Sequence, residues 1–229
     1  MIYRDPRLWT FPFHGIQNAV FNKMMSYGLY YTFLDYFNDY YRNTVQLEKD
    51  RNINMLTGAS VGIINSLVTN PLNSIKYHAW GKEKQNLRMV AREMYQHGGP
   101  RAFTRGLLTT MNRDVTFGII YQLGRNSAPE EYQGFTANTI AAGAATVFSS
   151  PFNYIRNKKY LTCYSHTNPS TEELFMKLYH NIMLHDTWGG RIQYTCKRLC
   201  IGYGTVRVAF GIAFGQWFYN WQIKKLIDI

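Results

Sequence analysis

Acidic side chains are scarce in this sequence: 14 Asp and Glu stand against 25 Lys and Arg in 229 residues, a formal net charge of +11. Such a balance suits nucleic acid or a membrane surface rich in anionic lipid. Cysteine is scarcer still. Cys163, Cys196 and Cys200 cannot build a disulfide framework for a chain this long. His180, His185, Cys196 and Cys200 are the right residue types for zinc, but their spacing fits no compact finger and the residues between them read as continuous helix. Long apolar runs are also missing, and the mean hydropathy is −0.30. A lipid-facing span usually offers about 20 predominantly apolar residues. Helices lining a water-accessible cavity need fewer, because polar residues at membrane depth are tolerated on the side facing it. The first thirty residues lack the apolar core and basic flank of a cleavable signal, so none is expected. There is no glycine loop for a nucleotide phosphate and no Ser, His and acid arrangement, which argues against an enzyme and implies no cofactor and no metal.

What the chain does have is 46% hydrophobic and 16% aromatic residues. Its bases fall between apolar stretches: Arg42, Lys49 and Arg51; Lys76, Lys82, Lys84 and Arg88; Arg156, Lys158 and Lys159; Lys224 and Lys225. A nucleic-acid binder gathers Lys and Arg on one face. Groups spaced in this way read instead as headgroup contacts at membrane boundaries, and no nucleic-acid partner is expected.

Residues 1–14, with Pro6, Pro12, Trp9, Phe11 and Phe13, read as an irregular aromatic lead-in. Apolar residues at helical spacing predict a first span over 16–37, ending at Asp35, Asp39 and Arg42. A second runs over 53–77. Its Gly58 and Gly62 would let another helix approach closely, and its Pro71 should kink it. Leu87, Val90, Ala91 and Met94 make one face of a short amphipathic helix that stops at Gly98, Gly99 and Pro100. Spans over 107–123 and from 135 follow, the latter breaking at Ser149, Ser150 and Pro151. Ser170 with Glu173 has the capping-box form and opens a second amphipathic helix. A last span over 199–222 carries Trp217, Tyr219 and Trp221 near its end, as an aromatic belt would place them.

The chain repeats itself. Pro71, Asn73, Ile75 and Lys76 correspond in kind to Pro151, Asn153, Ile155 and Arg156, each set at the end of a span. Lys23, Tyr27 and Gly28 recur as Arg113, Phe117 and Gly118 and as Arg207, Phe210 and Gly211, with bases 90 and 94 residues apart. Three tandem units follow, approximately 1–47 (partial), 48–130 and 131–229, within one domain over 1–229.

These features resemble the mitochondrial carrier family, whose members move metabolites across the inner mitochondrial membrane with three such repeats. In the family each repeat has an odd helix ending in P-x-[DE]-x-x-[KR], a matrix-side surface helix, a Gly-xxx-aromatic-x-basic-Gly turn and an even helix. Gly99, Phe103, Arg105 and Gly106 reproduce the turn, a candidate anionic-lipid site. Phe13, His14 and Gly15 retain only its end, and Trp188, Gly189 and Gly190 begin it with no terminal glycine following. The resemblance implies an all-α membrane helical bundle, multi-pass in the inner mitochondrial membrane, with about five transmembrane helices and short amphipathic matrix-side helices. Aligned this way, the sequence opens at the turn before the second helix, so a six-helix barrel is not expected to close from it.

The resemblance also assigns roles. The acid and base of the signature pair between repeats to close the matrix gate, and here the acid is replaced by Asn73 and Asn153 beside Lys76 and Arg156. Asparagine accepts a hydrogen bond but carries no charge. The opposite gate keeps Asp39 and Arg42 on the first span, while Tyr121 to Arg125 and Tyr219 to Gln222 lack the acid. The substrate contact points map to Lys23 or Asn22, to Arg113 with Asp114 (a pair similar to that of amino-acid carriers), and to Arg207. Three bases around a cavity would suit a carboxylate or phosphate. The expectation is a non-transporting structural subunit of an inner-membrane assembly such as a respiratory-chain complex or supercomplex. Its partners would be other subunits and anionic lipid such as cardiolipin. The alternative is a transporter of a small anionic metabolite or amino acid.

Overall fold

In a computed structural model, residues 16–45, 50–79, 87–129, 134–161 and 169–227 are described, the side chains of 16–25, 27 and 222–227 excepted. The aromatic lead-in, Gly15, Lys82, Lys84 and Cys163 lie outside these residues. All described secondary structure is helical: α1 (Ile16–Asp39), α2 (Asp50–Ala79), α3 (Leu87–Gly98), α4 (Arg101–Thr104), α5 (Leu107–Asn126), α6 (Phe135–Leu161), α7 (Thr171–Met183), α8 (Trp188–Leu199) and α9 (Tyr203–Ile227). A π-helical turn, Tyr40–Thr44, closes α1. The long helices pack in the order α1, α2, α5, α6, α9, and α9 returns to touch α1.

Small residues make the tightest contact. A Cβ on Gly58 would lie 2.4 Å from the Gly118 carbonyl oxygen, and one on Gly62 would lie 2.6 Å from the Asp114 carbonyl. The close partner of the second span is therefore α5. Gly118, one of the residues recurring with each repeated base, is there for packing. Across the next seam a Cβ on Gly124 would meet that of Ala141 at 3.1 Å, and Ala141, Ala142 and Ala145 of α6 cluster with Tyr121, Ala209 and Ile212. Side chains this small let helix backbones approach until dispersion contacts accumulate along their length.

The prolines do not break their helices. Pro71 and Pro151 both lie inside continuous α-helix, α2 running on to Ala79 and α6 to Leu161. Pro151 brings no N–H to the carbonyl one turn back, that of Val147. The hydroxyl of Ser150 donates to that carbonyl at 2.6 Å instead. The expected break at Ser149 and Ser150 is thus corrected: the serine replaces the missing donor.

Two further boundaries differ from expectation. Residues 180–200 are not one helix: α7 stops at Met183, and Thr187 caps α8 by accepting from the Gly190 amide at 3.2 Å. The third turn is also closed by a glycine after all. Gly202 (φ +122°) precedes α9 as Gly106 (φ +73°) precedes α5. The 12-residue α8 stands where the second repeat has the four-residue α4, and that expansion hides the match from a fixed spacing. At the N-terminus of α7, Ser170 accepts from the Glu173 amide at 2.9 Å. Glu173 pairs in turn with Lys177, whose hydrogen bond and charge hold its carboxyl below the ordinary range.

The five long helices have 20 to 30 residues each. Among the described residues, none combines that length with the apolarity needed to cross a membrane. The reason is where the polar residues went. Asn65, Ser66, Thr69, Asn70, Thr109, Thr110, Asp114, Gln122, Asn138, Arg156 and Gln216 are buried between helices, while Leu67, Leu108, Ile140, Phe148, Phe214 and Trp217 face outward.

Candidate functional site: a basic interior joined by buried amides

Asn70, one residue before Pro71, is fully buried and makes contacts to three other elements. Its amide nitrogen donates to the Phe103 carbonyl at 2.8 Å and to the Arg105 carbonyl at 3.5 Å. Its amide oxygen accepts from Thr110 at 2.7 Å and from the Tyr160 hydroxyl at 2.8 Å. The full hydrogen-bonding capacity of the side chain is used, so α2, the turn after α4, α5 and α6 are held in one register. The turn expected to bind lipid therefore has a structural task as well. Gly99 (φ +57°) and Gly106 (φ +73°) adopt left-handed backbone that favours glycine. Gly106 also lies under Tyr160, whose ring would be 3.3 Å from an added Cβ, and Arg105 contributes its carbonyl to Asn70.

A second amide lies deeper. Asn65 donates to Asp114 at 3.2 Å and accepts from Ser26 at 3.4 Å, which connects α2 to α5 and to α1. Asp114 is buried and also takes the guanidinium of Arg113, whose Nε donates to it at 2.6 Å. These neighbours along α5 thus pair with each other, and Asp114 is held from both sides. The Lys23 side chain, expected as the first contact point, lies outside the described residues. Arg207, the third, is exposed at the start of α9.

The signature motifs behave in a related way. Arg156 is buried at 9% exposure, its Nη2 donates to Asn153 in the same helix at 2.6 Å, and its guanidinium lies 5.7 Å from the centre of the Tyr160 ring. The base is thus bonded to the asparagine that stands in place of the acid. Arg156 lies within electrostatic range of Arg113 and Asp114, and Lys76 within range of Arg156 and Arg207. Pro71, Asn73, Pro151 and Asn153 are half-buried along the same ends of α2 and α6. Lys76, Arg113 and Arg156 are thus buried or half-buried near one acid, Asp114, while Arg207 is exposed.

At the other end of the bundle, a polar cavity of about 130 Å3 is lined by Asp35, Asn38, Asn54, Thr57, Gln122 and Arg125 among others. Arg42 pairs with Asp50 at 3.2 Å, across the connection to α2, and both are exposed. The contact between repeats here comes from an unexpected pair: Tyr219 of α9 donates to Asp35 of α1 at 2.8 Å. The Tyr31 ring stacks on Tyr219 at 5.3 Å, and its hydroxyl donates to the Ile212 carbonyl at 3.0 Å. At this end α1 and α9, the first and last of the five long helices, are in contact. Among the described residues no group of three His, Cys, Asp or Glu converges on one point, and His185 packs against the Tyr194 ring at 4.8 Å.

Sequence reasoning missed Asn65, Asn70, Tyr160, Asp35 and Tyr219 as organisers. Asn70 carried one signal, an amide immediately before a mid-helix proline. The others carried none, since their partners lie on other helices.

An all-helical ring whose amides and charges point inward, and whose outer faces carry Leu, Ile, Phe and Trp, belongs to the class of bundles built around a polar interior rather than an apolar core. Residues 51–134, which take in nearly all of α2, α3, α4 and α5, match the family model for mitochondrial carrier protein. Over that segment the chain is similar to the mitochondrial carrier family. No curated protein and no solved structure matches it.

Proposed function

We propose that this chain is a carrier-like structural subunit of an inner mitochondrial membrane assembly, of the respiratory-chain kind, that does not itself transport. The observation carrying this reading is the replacement of the motif acid by Asn73 and Asn153, with Arg156 bonded to Asn153 inside its own helix at 2.6 Å. An alternating mechanism needs contacts that make and break between two states. A base bonded within one helix offers no such switch. Inner-membrane placement is supported by the inverted distribution of side chains, because Phe210, Phe214, Trp217, Phe218 and Trp221 make an exposed aromatic stripe on α9 that water would not favour. The same stripe offers aromatic anchors to neighbouring subunits and to lipid. Extraction of native membranes with mild detergent and size exclusion is expected to bring the chain out with other subunits. Migration as a free monomer would sink the proposal.

One observation favours transport of a small anion or amino acid instead: the buried Arg156 and Asp114 lie among the half-buried bases Lys76 and Arg113. Exchange of keto acids, amino acids or nucleotides by reconstituted protein, abolished by Arg113→Ala, would establish it. Silence with all three classes would exclude it.

A further inference from the structure

Arg156 has a charge balance that the chain does not complete. Its side chain is buried, yet among the described residues Nε and Nη1 have no hydrogen-bond partner, and only Nη2 is engaged, by the neutral amides of Asn153 and Asn157. A buried cation is costly unless paired and hydrogen-bonded. The Tyr160 ring at 5.7 Å supplies weak compensation. The nearby acid, Asp114, is already held by Arg113 and Asn65. Two further bases, Lys76 and Arg113, lie within electrostatic range and add to the local positive field.

We propose that a small oxyanion, a phosphate or carboxylate group, binds against Arg156, within electrostatic range of Lys76 near the end of α2, as a fixed counter-ion in place of the carboxylates that Asn73 and Asn153 lack. The anion accepts from the unpartnered guanidinium nitrogens in charge-assisted bonds, which are about twice as strong as neutral ones. Asn153 continues to hold Nη2 and so orients the guanidinium. The group serves to pin two repeats together, and this role stands apart from both the assembly and the transport readings, since it concerns the stability of the folded chain.

The test is thermal unfolding of the purified full chain in neutral detergent, followed by tryptophan fluorescence at constant ionic strength. Millimolar phosphate or succinate in place of chloride is expected to raise Tm by about 3 °C or more. Micelles doped with an anionic phospholipid form a second arm: a rise there and not with the free ions assigns the group to a lipid headgroup, and the reverse assigns it to a soluble anion. Asn153→Asp supplies a carboxylate within the chain, so it should retain or raise the basal Tm and lose the response to added anion. Lys76→Gln should weaken the response, and Lys177→Gln, on the surface of α7, should leave it intact. The proposal is overturned if the unsubstituted chain responds no more to phosphate, succinate or anionic lipid than to chloride. It is equally overturned if Asn153→Asp responds as the unsubstituted chain does.

Discussion

Asparagine does two different jobs here, and its neighbours decide which. Asn73 and Asn153 stand where the resemblance would place an acid, and they carry no charge. Asn65 and Asn70 are buried between helices, and their value lies in donating and accepting at once, which a carboxylate cannot do. Asn70→Ala is therefore expected to lower the stability of the detergent-solubilised chain by about 3 kcal/mol, because two carbonyls and two hydroxyls lose a buried partner and each orphaned group costs about 1–3 kcal/mol. Asn73→Ala, at a half-buried position, should cost under about 1 kcal/mol. Equal losses for the two in thermal unfolding would show that Asn70 is not the hub its contacts describe. The difference was not legible in the sequence. Both residues sit beside Pro71, and only the approach of Phe103, Thr110 and Tyr160 separates them.

Helices were read well where the pattern was local and poorly where it depended on a repair. The spans now seen as α1, α2 and α5 were expected within about three residues of their observed ends, since apolar spacing and capping are properties of neighbouring residues. The break at Pro151 was wrong because the hydroxyl of Ser150 serves the carbonyl that proline leaves unserved. Ser150→Ala is expected to cost about 1 kcal/mol, the typical worth of a buried hydrogen bond, and to loosen α6, which faster backbone amide exchange around Val147 would reveal. Unchanged exchange there would refute the repair. At Gly58 the contact of α2 with α5 leaves no room for a side chain. Gly58→Ala would place a methyl 2.4 Å from the Gly118 carbonyl. Forcing the helices apart should cost about 1–3 kcal/mol, whereas the same change at Gly189, where nothing lies within 4 Å, should be nearly silent in the same unfolding assay.

At the scale of the whole molecule, the ring closes through Tyr31, Asp35, Ile212 and Tyr219, residues 181 and 184 positions apart in their two pairings. Tyr219→Phe is expected to cost about 1 kcal/mol and to increase proteolytic cleavage near the C-terminal end of α9, with no effect on the Asn70 network. Equal protection of the variant and the unsubstituted chain would show that this contact does not hold the ring shut. The sequence by itself determined that the described residues are helical, that Lys23, Arg113 and Arg207 recur 90 and 94 residues apart, and that asparagine stands at positions 73 and 153, because helix periodicity, spacing and side-chain identity are read along one dimension. It also supplied the likeness of residues 51–134 to mitochondrial carrier protein. Tertiary structure alone decided which buried amides tie the helices together, that α1 and α9 meet, and that Arg156 is buried with two nitrogens unpartnered among the described residues. Each of these depends on atoms brought together from distant positions, and the cost of burying a polar group is set by what surrounds it once the helices have packed.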